Sequence, residues 1–475
     1  MAIRRRRPHL VAMGAPSWKV VDPYRGAIVA EIPLATPEEA RRIVRRAAAA
    51  QASWAGAPLE ERKALCLGAA AAIEARLEPI AWDVTRQMGK PIAQSRAEVR
   101  TCLGRARKMI ELADRGLAPR ELPAPPGERR RITREPVGVV LDIAAWNYPL
   151  LIAVNVIFPA VLAGDAVLIK HASRTPLCAE HFAAAFRDAG APPDLVLPLH
   201  AGHETVGEVL GMEEIGYVSF TGSVRGGHEI YGRASRRFID AGLELGGKDP
   251  AYVAEDADLD AAAANLAEGA FYNAGQSCCG VERIYVHRRV RGPFVERLAA
   301  AAAEWTAGDP GEEATRLGPL ADPAAGAFLA SQVDEARALG ARVVCGGGAL
   351  THGPCGRFFG PTVIDEADAR MSLMREESFG PVVGIEAVDS DEEALARMNG
   401  SRYGLTAVVW TRDPGRADRL AARLEVGTVF ANRCDFLDPS LAWTGVKDSG
   451  KGVSLSELGF LPLTRTKSWN FAKIE

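Results

Sequence analysis

Residues 136–170 read PVGVVLDIAAWNYPLLIAVNVIFPAVLAGDAVLIK. Here the apolar run Val137–Ile143 is followed by a helical stretch, Leu150–Leu162, and then by a strand-like run, Ala166–Lys170. The alternation continues downstream. Pro176–Ala189 reads as a helix with proline at its start and Gly190 past its end. Leu195–Leu199 and Ile215–Phe220 are again short apolar runs bounded by turn residues, as in strands buried on both faces. This order of elements predicts a doubly wound, parallel α/β nucleotide-binding sheet.

The region before it is helical. Thr36-Pro37-Glu38-Glu39 is a capping box with proline at the first helical position, opening an Ala/Arg-rich helix to about Ala50; another runs from about Leu59 to Leu77. Residues 118–127, APRELPAPPG, are a proline-rich break before the charged, strand-like Arg129–Glu135. After Gly247 a second α/β region begins, with a helix near Leu259–Tyr272 and strands near Arg283–His287, Val382–Val388, Thr406–Trp410 and Thr428–Ala431. The closing Leu463–Ile474 is extended in pattern, and no repeat of fixed period runs through the chain.

At 475 residues the chain exceeds the size of one hydrophobic core, so two or more domains are expected. With 48% hydrophobic and 25% charged residues it has the composition of an ordinary soluble globular protein. A net charge of −3 gives no electrostatic case for nucleic acid. No stretch approaches the ~20 uninterrupted apolar residues that span a bilayer, so no membrane role is expected. The basic run Arg4–Arg7 is not followed by an apolar segment and reads as a loosely held or crossing-strand terminus. Eight scattered cysteines without a secretory signal point to reduced thiols in a cytoplasmic enzyme.

Two glycine-rich frames carry the chemistry: Gly275-Gln276-Ser277-Cys278 and Glu244-Leu245-Gly246-Gly247-Lys248. Alone, a cysteine in an apolar segment is buried filler more often than a nucleophile. Its pairing with Glu244 reverses that weighting: a thiolate attacks an electrophilic carbon, and a carboxylate activates the water that releases the product. Cys279 reads as a passive neighbouring thiol, with redox protection of Cys278 as the alternative. His200-Ala201-Gly202-His203 has no cysteine or acidic partner at metal spacing, so no metal is expected.

Phe271–Cys278 followed by Arg283, together with Leu243–Lys248, resembles the cysteine and glutamate signatures of the aldehyde dehydrogenase superfamily. The resemblance runs from Glu31 to Lys467 and includes Tyr403–Thr406 and Gly445–Gly450. It implies oxidation of an aldehyde to a carboxylic acid through a Cys278 thiohemiacetal and thioester. Branches that pass the acyl group to coenzyme A lack the glutamate, so Glu244 implies the hydrolytic branch. Trp146-Asn147-Tyr148-Pro149 matches the motif whose asparagine amide, with the cysteine's own N–H, forms the oxyanion hole. A thiol esterase using the same Cys278 and Glu244 is the rival from a different class.

The resemblance also implies a nicotinamide cofactor. Phe220–Gly227 follows a strand and opens a helix, so its N–H groups and the helix dipole suit a diphosphate. Gly222 and Gly227 take the family's glycine positions around Ser223, in a variant of the Gly-x-Gly-x-x-Gly fingerprint. Lys170 is placed against the adenosine ribose, Glu377 on the nicotinamide ribose, Phe379 on its ring, and Trp146 beside the cofactor. Ser173 stands where NAD-dependent members carry a glutamate that repels a 2′-phosphate, and Arg174 and Arg225 offer further positive charge. NADP is therefore slightly favoured over NAD.

For the substrate, Tyr148, Ile152, Tyr272, Leu437 and Trp443 are expected to line a mostly apolar tunnel with Arg433 near its mouth. Uncharged aliphatic or aromatic aldehydes are favoured, and a succinic-semialdehyde type is the alternative. The arginine that such branches place seven residues after the motif aromatic is Asn155 here. Two departures are His171, where proline commonly follows the lysine, and Trp443-Thr444, where Phe-Gly is usual. The expected fold class is α/β, with a doubly wound Rossmann-like cofactor domain (1–117 and 137–245), a second α/β catalytic domain (246–445), and a small β extension for oligomerisation (118–136 and 446–475). A dimer or tetramer would result.

Overall fold

The computed structural model describes residues 16–434 and 436–472; the Arg4–Arg7 run and the end of the 463–474 segment lie outside them. Six strands form the first sheet, in the order Gly450–Lys451, Asp240–Glu244, Ile215–Thr221, Val139–Ala144, Ala166–His171, Val196–Pro198. All pair in parallel except Gly450–Lys451, which runs antiparallel to Asp240–Glu244. Every residue of Val139–Ala144 and Ala166–His171 is buried, which is why these strands read as continuous apolar runs. From Val139–Ala144 the chain winds outward on one side and then the other. The order reverses between this strand and Ile215–Thr221, and ligands bind at the carboxyl ends of strands at such a point.

Helices cover this sheet. Pro149–Ala163 ends at Gly164, whose φ of 99° needs a residue without Cβ. The capping box forms as expected: Thr36 N–H donates to Glu39 Oε2 at 2.9 Å and Glu39 N–H to Thr36 Oγ1 at 3.3 Å, at the start of helix Pro37–Trp54. Beyond Leu59–Glu74 lie two helices that the sequence pattern did not reveal, Leu77–Met88 and the 25-residue Ile92–Gly116. The latter packs along Pro149–Ala163.

The second sheet has seven strands, in the order Arg342–Cys345, Thr362–Asp365, Val382–Val388, Val281–His287, Asp249–Val253, Thr406–Trp410, Thr428–Ala431. All are parallel but the first. Alternate residues feed two separate cores, with Ile284 and Val408 on one face and Tyr285 and Val409 on the other.

A third, antiparallel sheet projects from the body. Arg129–Pro136 pairs along its whole length with Thr464–Phe471 and on its other side with Arg120–Leu122. Stacking of Arg131 on Trp469 at 4.4 Å and of Arg129 on Phe471 at 4.8 Å ties the two long strands together. Residues 446–463, expected to share this extension, lie elsewhere: Val446–Lys447 pairs with Tyr403–Gly404, Gly450–Lys451 joins the first sheet, and Leu455, Phe460 and Leu463 are buried in its core. Among the described residues no helix is long and apolar enough to cross a membrane.

Candidate active site

The two sheets meet where the glycine frames meet. A Cβ added at Gly247 would fall on the carbonyl of Cys278, one at Gly246 on the carboxylate of Glu377, and one at Gly275 on the backbone of Gly380. At Gly247 and Gly275 the approach is to main chain and requires glycine, and at Gly275 a φ of 68° requires it again. The cysteine, glutamate and Phe-Gly-Pro motifs, far apart in sequence, are therefore locked to one another by main chain.

Asn147 is fixed from behind. Its carbonyl accepts from the buried Lys90 ammonium at 2.8 Å and from Asn273 Nδ2 at 3.0 Å, while Asn273 N–H donates to Gln94 Oε1 at 3.1 Å. Lys90 pairs with the buried Glu98, whose carboxylate also accepts from Leu150 N–H at 2.9 Å. The Asn147 side-chain amide has no hydrogen bond among the described residues and lines a cavity of about 500 Å³. Cys278 and Glu244 line the same cavity, as do Tyr148, Ile152, Tyr272, Leu437, Trp443 and Arg433. All nine residues expected at the reacting centre or in the substrate tunnel thus converge. The wall is mostly apolar, and Gln94, Glu98, Thr101 and Arg105 from helix Ile92–Gly116 add polar groups to it.

Glu244 is half-buried at the end of its strand, and desolvation there pushes its carboxyl pKa up from the ordinary value. The Ser454 hydroxyl, donating to Oε1 at 2.6 Å, the charge of Arg105 and the Trp443 indole pull it the other way. Trp443 and Ser454 are themselves paired through two main-chain hydrogen bonds, of 2.8 and 2.9 Å. The tryptophan that departs from the usual Phe-Gly is therefore part of the carboxylate's cradle. Ser454 was not anticipated, since an isolated serine in a loop carries no sequence signal.

The expected cofactor residues lie along the crevice at the reversal of strand order. Ser223 caps helix Val224–Ala234, accepting from Gly226 N–H at 3.2 Å, and Gly222 N–H bonds the carbonyl of Glu244 at 3.1 Å. Cβ atoms at Gly222 and Gly226 would meet the Phe220 ring and one at Gly227 would meet Leu245, so this turn also needs its glycines. Lys170 is the last residue but one of its strand, mostly buried, with its ammonium 5.3 Å over the Trp18 ring and no carboxylate partner among the described residues; burial lowers its pKa to about 8. Glu377 accepts from Gly247 N–H at 3.0 Å and is pushed up to about 7 by burial. Phe379 meets Trp146 edge-on at 5.5 Å. An N-terminal helix turn for a diphosphate, a buried unpaired cation for ribose oxygens and a carboxylate with an aromatic ring at the far end fit a dinucleotide.

The model of the "Aldehyde dehydrogenase family" matches residues 11–469. This chain belongs to that family. It is an aldehyde dehydrogenase, an NAD(P)-dependent oxidoreductase acting on aldehydes. It is 35% identical to "Succinate semialdehyde dehydrogenase [NAD(P)+] Sad" of Escherichia coli K12 over 92% of this chain and 94% of that protein. It is 34% identical to "Succinate-semialdehyde dehydrogenase [NADP(+)]" of Deinococcus radiodurans over 97% and 96%. Among solved structures, the betaine aldehyde dehydrogenase of Staphylococcus aureus in complex with NAD+ superposes with a TM-score of 0.92 at 31% identity, over 96% of this chain and 92% of that one.

One expectation about this aldehyde dehydrogenase is corrected. Arg174 offers no charge to a 2′-phosphate, because its guanidinium is bound to the Ala321 carbonyl and to Asp322 at 2.7 Å, and lies 5.5 Å over Trp146. Ser173 and Arg225 are exposed at the crevice. His171 is wholly buried beside Lys170, and burial lowers its pKa to about 3, so it is a neutral core residue.

Proposed function

We propose that Cys278 is the nucleophile, Asn147 the oxyanion donor and Glu244 the hydrolytic base of this dehydrogenase. The observation that carries this reading is the convergence of all three on one cavity beneath the crevice. The Cys278 thiolate adds to the aldehyde carbon. The oxygen that gains the charge is met by the Asn147 amide and by Cys278 N–H, which makes no other hydrogen bond among the described residues. Ser223 and Glu377 would hold the dinucleotide, which when bound would supply the two-electron acceptor. Glu244 then takes a proton from the water that attacks the Cys278 thioester. Reduced-cofactor formation with a panel of aldehydes, run beside an ester-hydrolysis control, tests this: ester turnover without cofactor reduction would leave the thiol esterase standing instead.

Relatives of this chain named for succinate semialdehyde, together with Arg105 in the cavity wall, support a short carboxylated aldehyde over the uncharged one the sequence favoured. For the cofactor, the exposed Ser173 supports tolerance of a 2′-phosphate. Ser173→Glu is expected to lower the NADP/NAD ratio of kcat/KM roughly ten- to a hundredfold by like-charge contact. An unchanged ratio would place the adenosine ribose elsewhere.

The three-stranded extension supports self-association, because its two outer strands leave unpaired edges in a monomer. Light scattering on the eluting protein is expected to report a dimer or tetramer. A stable monomer at micromolar concentration would remove the extension's role.

A further inference from the structure

From the environment of Arg105 we infer that this arginine is the specificity residue of the substrate cavity, binding the distal carboxylate of a short ω-carboxylated aldehyde. The inference rests on the assignment of the Cys278 cavity as the substrate site. Arg105 sits midway along helix Ile92–Gly116, is 6% exposed, and lines that cavity. Its Nη1 donates to the Leu151 carbonyl at 3.1 Å and to Asn155 Oδ1 at 3.2 Å. Among the described residues Nε and Nη2 have no acceptor, and no carboxylate lies within ion-pair distance.

A buried charge without a partner is costly, and native structures pair such groups or leave them to a ligand. The acids nearest to it are committed elsewhere. Glu98 is bound by Lys90 and Leu150 N–H, and Glu244 by Ser454. Nε is closed in by packing, whereas Nη2 has no acceptor and is not shut off in that way, so Nη2 is the nitrogen left to meet a carboxylate oxygen through a charge-assisted hydrogen bond. Asn155, where related branches carry an arginine, accepts from Arg105: the cation is supplied from a neighbouring helix rather than from Pro149–Ala163. Arg433, the other cation of the cavity, is exposed at its mouth and stacked on Phe436 at 3.8 Å.

The test compares 4-oxobutanoate with 4-methylpentanal, which replaces the carboxylate by an uncharged group of the same shape. The readout is the ratio of their kcat/KM values. In the wild type the ratio favours 4-oxobutanoate. Arg105→Met is expected to lower it roughly thirtyfold or more, through KM, as for loss of one partner of a buried charge pair. Arg105→Lys is expected to recover part. Succinate titrated calorimetrically into Cys278→Ser protein, with and without Arg105→Met, reads the same contact without turnover and should bind only where Arg105 is present. An unchanged ratio in Arg105→Met overturns the proposal, as does a loss found in Arg433→Ala instead. An equal fall for both aldehydes with a displaced pH profile would make Arg105 a positioning residue for Glu244. Failure of the wild type to oxidise either aldehyde would strike at the reading of the cavity itself.

Discussion

Cys278→Ser is expected to lower aldehyde oxidation at least about a thousandfold, roughly 4 kcal/mol of barrier, and to leave the fold intact. A serine hydroxyl is a far poorer nucleophile than a thiolate unless a strong base stands beside it. The exchange keeps shape and volume. Cys278 lies in the turn after Tyr272–Gly275, held through its carbonyl against Gly247, and that backbone contact does not depend on the side chain. The melting temperature should therefore match the wild type while reduced-cofactor formation disappears. Retained activity here, with loss in Cys279→Ser, would move the nucleophile one position along the chain.

Glu244→Gln separates the two halves of the reaction. It keeps the volume and removes the base, so acylation of Cys278 continues while hydrolysis slows, by roughly a hundred- to ten-thousandfold for loss of a general base. Rapid mixing should show a burst of reduced cofactor near one equivalent per site, followed by a slow steady state. The pH dependence has a definite sign. Desolvation raises the Glu244 pKa, so the carboxyl holds its proton to higher pH than an exposed glutamate, and the base-competent fraction grows as pH rises through that raised value. The wild-type steady state should climb with pH over that range, and the climb should be absent in Glu244→Gln. Wild-type turnover in the variant would mean that another group activates the water.

Much of the site was legible in the sequence because its chemistry sits in frames that tolerate little change. Gly247 and Gly275 mark the places where three main-chain segments touch, and such contacts leave a pattern in the chain itself. The alternating sheet was legible for a related reason: strands buried on both faces, such as Val139–Ala144 and Val382–Val388, are apolar but for a single acid each, Asp142 and Glu386. Asp249–Val253 and Thr362–Asp365 escaped because a short strand opening on Asp-Pro, or closing on aspartate, looks like a turn.

Helix Ile92–Gly116 escaped for another reason. Pro91 stands at its N-cap without a side-chain hydrogen bond, and its arginines hide which face is buried. Nothing local distinguishes Arg105 from Arg96, Arg100, Arg107 and Arg115 on the same helix; only packing against Pro149–Ala163 puts that one guanidinium indoors. Ser454 is similar, acquiring its partner when Gly450–Lys451 joins the first sheet.

The mutual lock of the three glycine frames divides the enzyme into a part that cannot drift and a part that can. Because the cysteine's place is set by one main chain resting on another, no side-chain substitution elsewhere can slide it toward a longer or shorter substrate. Adaptation to a new aldehyde has to be written on the rest of the wall, where residues of Ile92–Gly116 together with Arg433, Phe436 and Leu437 line the cavity. A library confined to Thr101, Arg433, Phe436 and Leu437, which hold neither Asn147 nor Glu244, should change what is oxidised while leaving untouched how it is oxidised, and substitutions at Gly247 or Gly275 should destroy both together.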